Sequence, residues 1–218
     1  MNPEKARYKL ENMDRLARRD RILLNNPVVM QGLGLAPLVV AATTAQNALM
    51  LSVAVAMLLL PVRLLAGKLC QHTGLGFRWR GLAYCIISGL LYIGVYQALT
   101  AIFDVQVLQL GLYLPLLVIE PLIIKRNERP QQERIRTALR KGILTTLGYV
   151  LMLMVMGSLR ELLALGTLFG RPVLSQQFLP MAALPAGGFI LLGVVCAIWR
   201  SLVTAYKKHV EMEAKRTV

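Results

Sequence analysis

The sequence predicts an all-α, polytopic membrane protein with six transmembrane helices, built as two inverted three-helix repeats with broken first helices. Three observations predict this fold class. The chain of 218 residues is 56% hydrophobic, with a mean hydropathy of +0.56. It contains long runs without a charged residue, and its 25 Lys and Arg residues cluster between those runs. Because lipid offers the backbone no hydrogen bonds, runs this apolar cross a membrane as helices.

Five uncharged runs supply the six predicted crossings. The run Ile22–Val62 is 41 residues long, or about 60 Å of helix, so it crosses a hydrocarbon core of ~30 Å twice. Four further runs cross once each, and the shortest, Val105–Ile119, needs Leu122–Ile124 to complete its span. The predicted spans are, in order, Pro27–Thr43, Asn47–Leu65, Gly81–Phe103, Val105–Ile124, Gly142–Arg160 and Ala183–Tyr206.

The positive charges predict the orientation of these spans. With six crossings, 23 of the 25 Lys and Arg residues fall on one side of the membrane. Basic residues are retained in cytoplasmic loops, so both termini are expected in the cytoplasm of a bacterial-type inner (plasma) membrane. A pI near 10.3 is also typical of nucleic-acid-binding proteins, but here the charge lies in short segments beside the spans, so no nucleic-acid partner is expected. The basic segments are the N-terminus through Arg21, Arg63–Arg80, Glu120–Lys141 and the tail from Arg200.

The chain divides into one membrane domain and two short cytoplasmic ends. Residues 1–25 are predicted to form an amphipathic segment, since apolar residues recur every three to four positions among its charges. Such a charged beginning is not typical of a signal peptide. Residues 26–206 form the membrane domain, with repeats at about 26–103 and 104–206. Residues 207–218 are a charged tail that is expected to fray.

A short internal repeat marks the two broken helices. Leu33–Val40 (LGLAPLVV) in the first span resembles Leu110–Val118 (LGLYLPLLV) in the fourth, and each contains one proline. A proline inside a helix removes a hydrogen bond at a cost of ~3 kcal/mol, and in lipid the freed carbonyl must face protein, a cofactor or a cavity. Pro37 and Pro115 are therefore predicted to point inward, towards a site between the repeats. The alternative is a simple kink at each proline.

Five stretches of the sequence carry a family resemblance. They are Asn26-Pro27 followed by Leu33–Pro37, Thr43–Leu49, Leu114–Pro121, Gly157–Gly170 and Leu184–Phe189. In these stretches the chain resembles the membrane subunits of the Rnf complex and of the Na+-translocating NADH:quinone reductase (Nqr), specifically the E-type subunit of Rnf and the D-type subunit of Nqr. The RELL…GTLFG block is the most specific part. The resemblance implies a heteromeric complex that couples electron transport to ion transport, with a sister six-helix membrane subunit of inverted topology and other Rnf/Nqr-like subunits as partners.

The same resemblance implies an iron–sulfur cluster for which this chain has no ligands. In the family, a cysteine in each broken helix joins a pair from the sister subunit around a [2Fe–2S] cluster. The matching positions here are Ala36 and Pro121, neither of which has a thiolate. We therefore expect that this chain carries no cofactor of its own. The remaining cysteines lack metal-ligand spacing and are expected to be packing residues: Cys70 in a loop, Cys85 at the cytoplasmic end of the third span and Cys196 inside the sixth.

Three ionisable residues at or near the spans are candidates for an ion pathway or for structural roles. Glu120 is expected either to pair with Lys125 or Arg126 near the cytoplasmic face or to form a cation or proton site inside the bundle. Arg160 and Glu161 are neighbours that point about 100° apart on a helix. They are expected to cap or bridge elements at the outer face, and a conduction role is the alternative. No catalytic or metal-binding residue is predicted.

Together these observations predict an integral membrane subunit of an Rnf/Nqr-like ion-translocating electron-transport complex. Its expected role is that of a scaffold or ion-pathway element without iron–sulfur ligands, at most a non-catalytic subunit of a translocase-type oxidoreductase. Two alternatives stay open. One is a subunit that still takes part in electron-coupled Na+ or H+ translocation, with the electrons routed elsewhere. The other is a small solute transporter or channel that uses the cavity between the repeats.

Reporter proteins fused after Asn47, Asp104 and Arg171 are expected to read as external. Fusions within Arg63–Arg80 and Lys125–Lys141 are expected to read as cytoplasmic, because Lys and Arg are retained on the side from which insertion starts. The enzymatic activity of compartment-specific reporters measures both. A cytoplasmic reading at Asp104 together with an external one in the Lys125–Lys141 loop would contradict the six-span arrangement.

Overall fold

The protein is predominantly helical, which confirms the all-α prediction apart from one very short hairpin. The computed structural model describes residues 20–73, 77–120 and 135–215. The hairpin pairs β1 (Thr167–Leu168) with β2 (Arg171–Pro172) in antiparallel register. The α-helices are α1 (Pro27–Gln31), α2 (Ala45–His72), α3 (Phe77–Phe103), α4 (Tyr113–Leu116), α5 (Ile135–Leu165) and α6 (Pro185–Lys215).

Four helices in this part of the chain, namely α2, α3, α5 and α6, are long and apolar enough to cross a membrane. The first and fourth predicted spans are broken into short pieces instead. In the first, α1 is followed by a separate π-helical turn over Pro37–Ala41. In the fourth, α4 lies between two 3₁₀ turns, Asp104–Leu110 and Leu117–Ile119. A long helix is thus found for four of the six predicted spans, and the six-span inverted repeat stays a prediction.

Local chemistry explains the first break. Asn26 caps α1, because its side-chain oxygen accepts hydrogen bonds from the backbone N–H groups of Val28 (2.9 Å) and Val29 (3.4 Å). Pro27 occupies the first helical position, where its missing N–H is not needed. Gly32 then ends the helix with a φ of +67°, in the left-handed region that glycine adopts without strain. The sequence therefore starts and stops a helix within five residues.

Two of the long helices extend beyond the predicted spans. α2 continues past its predicted end at Leu65 to His72, and α6 continues past Tyr206 to Lys215. The tail was expected to fray after Tyr206, but it stays helical to Lys215. Lys and Glu, which are frequent in this segment, are good helix formers. Cys70, assigned to a loop, is buried within α2. Residues 1–19 of the predicted amphipathic segment lie outside the described residues.

The core of the fold is an antiparallel pair of helices, α2 and α5. Ala45 at the start of α2 donates its backbone N–H to Glu161 near the end of α5 (2.8 Å), and Gly142 near the start of α5 lies against Arg63 of α2. α3 packs on α2, whereas α6 packs on the π-helical turn and on a 3₁₀ turn at Pro180–Ala183.

The long helices differ in how much of their apolar surface is covered. In the apolar stretches of α2 and α5, 56% and 50% of the residues are buried, against 17% and 22% in those of α3 and α6. α3 and α6 therefore flank the central pair and expose wide apolar faces. Such faces are stable where lipid or another subunit covers them.

Gly157 lets α5 approach the start of α2. A Cβ atom at this position would collide with the Cβ of Ala48 and would lie 2.7 Å from the carbonyl oxygen of Thr44. Thr44 is also the N-cap of α2, since its hydroxyl oxygen accepts a hydrogen bond from the N–H of Asn47 (3.2 Å). Any displacement here would disturb the start of a core helix.

The substitution Gly157→Ala is expected to destabilise the purified protein by about 1–3 kcal/mol, because an added methyl group in a packed contact forces the helices apart. The measurement is the midpoint of thermal unfolding in detergent. Gly193→Ala in α6 is the matched control, since a Cβ there would meet no atom within 4 Å. An unchanged midpoint for Gly157→Ala would contradict the close packing of α2 and α5.

Candidate functional site

Arg160 of α5 has no exposed surface and joins two segments that are distant in sequence. Its guanidinium group donates five hydrogen bonds, all to backbone carbonyl oxygens. These belong to Val39 and Ala42 (3.2 Å) at the end of the first broken span, and to Ala182 (2.8 Å), Ala183 (2.9 Å) and Leu184 (3.4 Å) just before α6.

The carbonyls that Arg160 binds lie where helical segments end. The π-helical turn ends at Ala41, and the backbone of Ala42 leaves the helical conformation. The last carbonyls of a helix have no partner within it. The other three carbonyls belong to the last two residues of the 3₁₀ turn and to Leu184, and they are followed by Pro185, which has no N–H to donate. A guanidinium has five N–H donors in a planar fork. One side chain therefore donates hydrogen bonds to the carbonyls at both helix ends. A broken helix in lipid requires such a donor.

Glu161 binds the N-terminal end of a helix, where backbone N–H groups lack partners. It is buried, and one carboxylate oxygen, Oε2, accepts the backbone N–H of Ala45 at the start of α2 (2.8 Å). The other, Oε1, accepts hydrogen bonds from the Thr167 hydroxyl (2.9 Å) and the Gly170 N–H (2.8 Å) of the hairpin. A carboxylate at a helix N-terminus is stabilised by the helix dipole and by charge-assisted hydrogen bonds. Arg160 and Glu161 thus bind carbonyls and amides, respectively, of different elements.

Glycines at the start of α6 leave room for the guanidinium. A Cβ atom on Gly188 would lie 3.0 Å from the Val39 oxygen and 3.1 Å from Cζ of Arg160. One on Gly187 would collide with the carbonyl oxygen of Met181. Larger residues here would push α6 away from the first broken span.

Further polar contacts, which the sequence did not single out, tie the first broken span to α5. Asn26 and Pro27 are residue types that favour a helix start, a signal that our predictions did not use, and nothing in the sequence indicated the distant partners. The contacts are Arg21 Nη1 to Thr145 Oγ1 (2.9 Å), Asn26 Nδ2 to the Gly148 carbonyl (2.9 Å) and the Tyr149 hydroxyl to the Gly34 carbonyl (3.2 Å).

Glu120 follows the 3₁₀ turn Leu117–Ile119 of the second broken span and lies inside the fold. Its side chain is 8% exposed and lines two small cavities. Among the described residues its carboxylate makes no hydrogen bond or ion pair. Lys125 and Arg126, its expected partners, lie outside the described residues. The cavity walls comprise Pro27, Leu33, Val55, Leu58, Leu59, Leu117, Thr145 and Tyr149.

The two prolines of the repeat differ in their surroundings. Pro37 is buried at the start of the π-helical turn. Pro115 is exposed on the surface of this chain, so the prediction that it points inward is wrong for the isolated chain. Ala36, next to the first proline, is exposed as well. Both breaks therefore present residues to the outside of the chain.

The described residues do not fit the [2Fe–2S] cluster that the resemblance implies. Ala36 has only a methyl group at the first ligand position, and Pro121 lies outside the described residues. Within the part of the chain that the structure describes, no three His, Cys, Asp or Glu side chains come together as a metal site. The cysteines are free and lie on three different helices, with Cys70 buried in α2 and Cys85 and Cys196 half-buried in α3 and α6.

Comparison with known proteins identifies similar membrane subunits. Residues 17–196 match the family described as Rnf-Nqr subunit, membrane protein. The E subunit of the ion-translocating oxidoreductase complex from Shewanella sp. (strain W3-18-1) is 32% identical over 202 residues, covering 85% of this chain and 86% of that protein. Its counterpart from Shewanella piezotolerans is 30% identical over 213 residues, covering 89% and 91%. The counterpart from Shewanella oneidensis is 30% identical over 191 residues, covering 80% and 81%.

The substitution Arg160→Lys is expected to destabilise the purified protein strongly. Lysine has three N–H donors on one nitrogen, so at least two of the five carbonyls would lose their partner, at about 1–3 kcal/mol each. Thermal unfolding in detergent and the elution profile on size exclusion measure the effect. Arg171→Lys in the exposed strand β2 is the control, and its effect should stay within about 0.5 kcal/mol. Equal stability of the two variants would show that the Arg160 network is dispensable.

Proposed function

The chain belongs to the Rnf-Nqr family of membrane subunits, and on that premise we propose that it is the E-type subunit of an ion-translocating electron-transport complex. Within the complex it serves as a scaffold or ion-pathway element. The observation that carries this proposal is the buried Arg160–Glu161 pair, which holds a broken transmembrane segment in place. A chain in which every span was a simple membrane anchor would not need such a network.

The proposed orientation has both termini in the cytoplasm of a bacterial membrane. The charge distribution supports this, and so does the antiparallel packing of α2 and α5. That packing brings Arg63 to the same end of the domain as Gly142, which follows Lys141. Glu161 and the hairpin lie at the opposite end, where few basic residues are found.

The proposed partner is a sister six-helix subunit of inverted topology that packs against the two breaks. Irregular backbone at membrane depth is tolerated only where protein or a water-filled cavity covers it. Both broken spans nevertheless expose apolar residues on this chain. Leu112 is 80% exposed, Leu116 43% and Leu35 38%. Another membrane subunit at this surface would cover the breaks and satisfy that requirement.

The chain contributes no iron–sulfur ligand in this proposal, because Ala36 and Pro121 occupy the two ligand positions. A [2Fe–2S] cluster is normally held by four thiolates, so a pair from the sister subunit alone would not complete the set. Electrons then pass through other subunits, and this chain performs no redox chemistry itself. It remains a non-catalytic part of the complex.

Mild-detergent purification from native membranes, with an affinity tag on the C-terminus, is expected to co-isolate a second six-span subunit whose own N-terminus is external. The triple variant Leu35→Ala, Leu112→Ala, Leu116→Ala should lose most of that partner, because it removes apolar contact area at the breaks. The matched control replaces three exposed apolar residues of α6 by Ala: Ile190, Val194 and Ile198. Recovery of a monomer or homodimer alone would contradict the proposal and favour a solute transporter or channel.

The same preparation tests the cofactor proposal. After separation from its partner, the chain should contain no stoichiometric iron. Iron that is lost on changing Cys85 or Cys196 to Ser would instead show that those cysteines are ligands.

A further inference from the structure

We propose that Glu120 is a proton-binding site inside the membrane domain, at the contact between the second broken span and the α2–α5 pair. This inference deepens the proposed function, since it assigns a proton to the ion-pathway role. It stands on four features of the described residues: the depth of the carboxyl group, its burial, its lack of a partner and the small size of the space around it.

The carboxyl group lies within the apolar part of the core helices. Its neighbours on α2, Leu58 and Leu59, follow Ala45 by 13 and 14 residues, or about 20 Å of helix. Arg63 comes four residues after Leu59, about 6 Å further along. Glu120 therefore lies beside the apolar part of α2, about one helical turn before Arg63.

No group among the described residues balances an ionised Glu120. α2 presents Val55, Leu58 and Leu59, and the other broken span presents Pro27 and Leu33. An isolated carboxylate in such surroundings is costly, whereas the neutral acid is tolerated. The resting form of Glu120 is therefore the protonated one.

The polar groups in the cavity wall come from α5, and both are already engaged. The Tyr149 hydroxyl donates to the Gly34 carbonyl (3.2 Å), and the Thr145 hydroxyl accepts from Arg21 (2.9 Å). The guanidinium of Arg21 contacts this wall at Thr145 and does not itself line the two cavities.

The space around Glu120 also favours a proton over a metal cation. The two cavities leave about 0 and about 10 Å³ for a water molecule, which is at or below what one ordered water needs. A sodium ion would require several oxygen ligands or retained waters, and the described residues leave no room for them in these two cavities. A proton adds to a carboxylate oxygen without displacing any neighbour.

Infrared difference spectroscopy of the intact complex tests the proposal, because a protonated carboxyl group has a C=O stretching band that an ionised carboxylate lacks. The spectrum should contain such a band for Glu120, and the protonated fraction should fall about tenfold per pH unit above the titration midpoint. Glu120→Gln should abolish this band, and Glu120→Asp should retain it at a shifted frequency. Glu161 should contribute no such band, because both of its oxygens accept hydrogen bonds as a carboxylate.

Two results would overturn the proposal. Loss of the Glu120 band on addition of Na+ at constant pH would make the site a sodium site. Absence of the band at every pH, in a complex whose Glu120→Gln variant folds normally, would show an ionised carboxylate, such as one paired with Lys125 or Arg126. Co-isolation of the partner subunit does not depend on Glu120, so Glu120→Gln should still recover it. A missing band with a recovered partner would therefore reject this inference and leave the proposed function standing.

Discussion

The structure depends on one constraint: a helix that is broken within a membrane must find hydrogen-bond partners for the backbone groups that the break releases. Arg160 meets this constraint for the carbonyls of Val39 and Ala42, and at the same time for those that precede α6. This guanidinium fixes the position of the first broken span and draws the start of α6 towards it. It also requires glycine at position 188. A buried arginine is thus tolerated because each of its donors has a backbone acceptor.

Glu161 complements Arg160 because helices release amides at one end and carbonyls at the other. Adjacent residues on a helix diverge by about 100°, so a cation and an anion side by side at the end of α5 reach different elements. The carboxylate binds the first N–H of α2 and the hairpin, while the guanidinium binds the break. The antiparallel pairing of α2 and α5 brings these ends together. The end of one helix thereby organises four other parts of the chain.

From the sequence we predicted the helical fold, the break at Pro37 and the importance of the RELL block. The contacts that this block makes could not be predicted. Arg160 binds carbonyls 121 and 22 residues away, and a backbone carbonyl has no signature in residue type. Pro115 shows a second limit, since a proline indicates that a helix is interrupted and not which way the interruption faces. The six predicted spans were counted from apolar length, which does not report whether the hydrogen bonds of a helix are continuous.

The hydrogen bonds that hold the first break do not involve the position where the family places a cysteine. Ala36 is exposed, and the carbonyls that Arg160 binds begin three residues later at Val39. An exchange of cysteine for alanine at position 36 therefore leaves the backbone of the break intact. The buried arginine is therefore required by the carbonyls that the break releases and not by a ligand at position 36. The apolar residues exposed around the break have the character of surface that another protein or lipid covers.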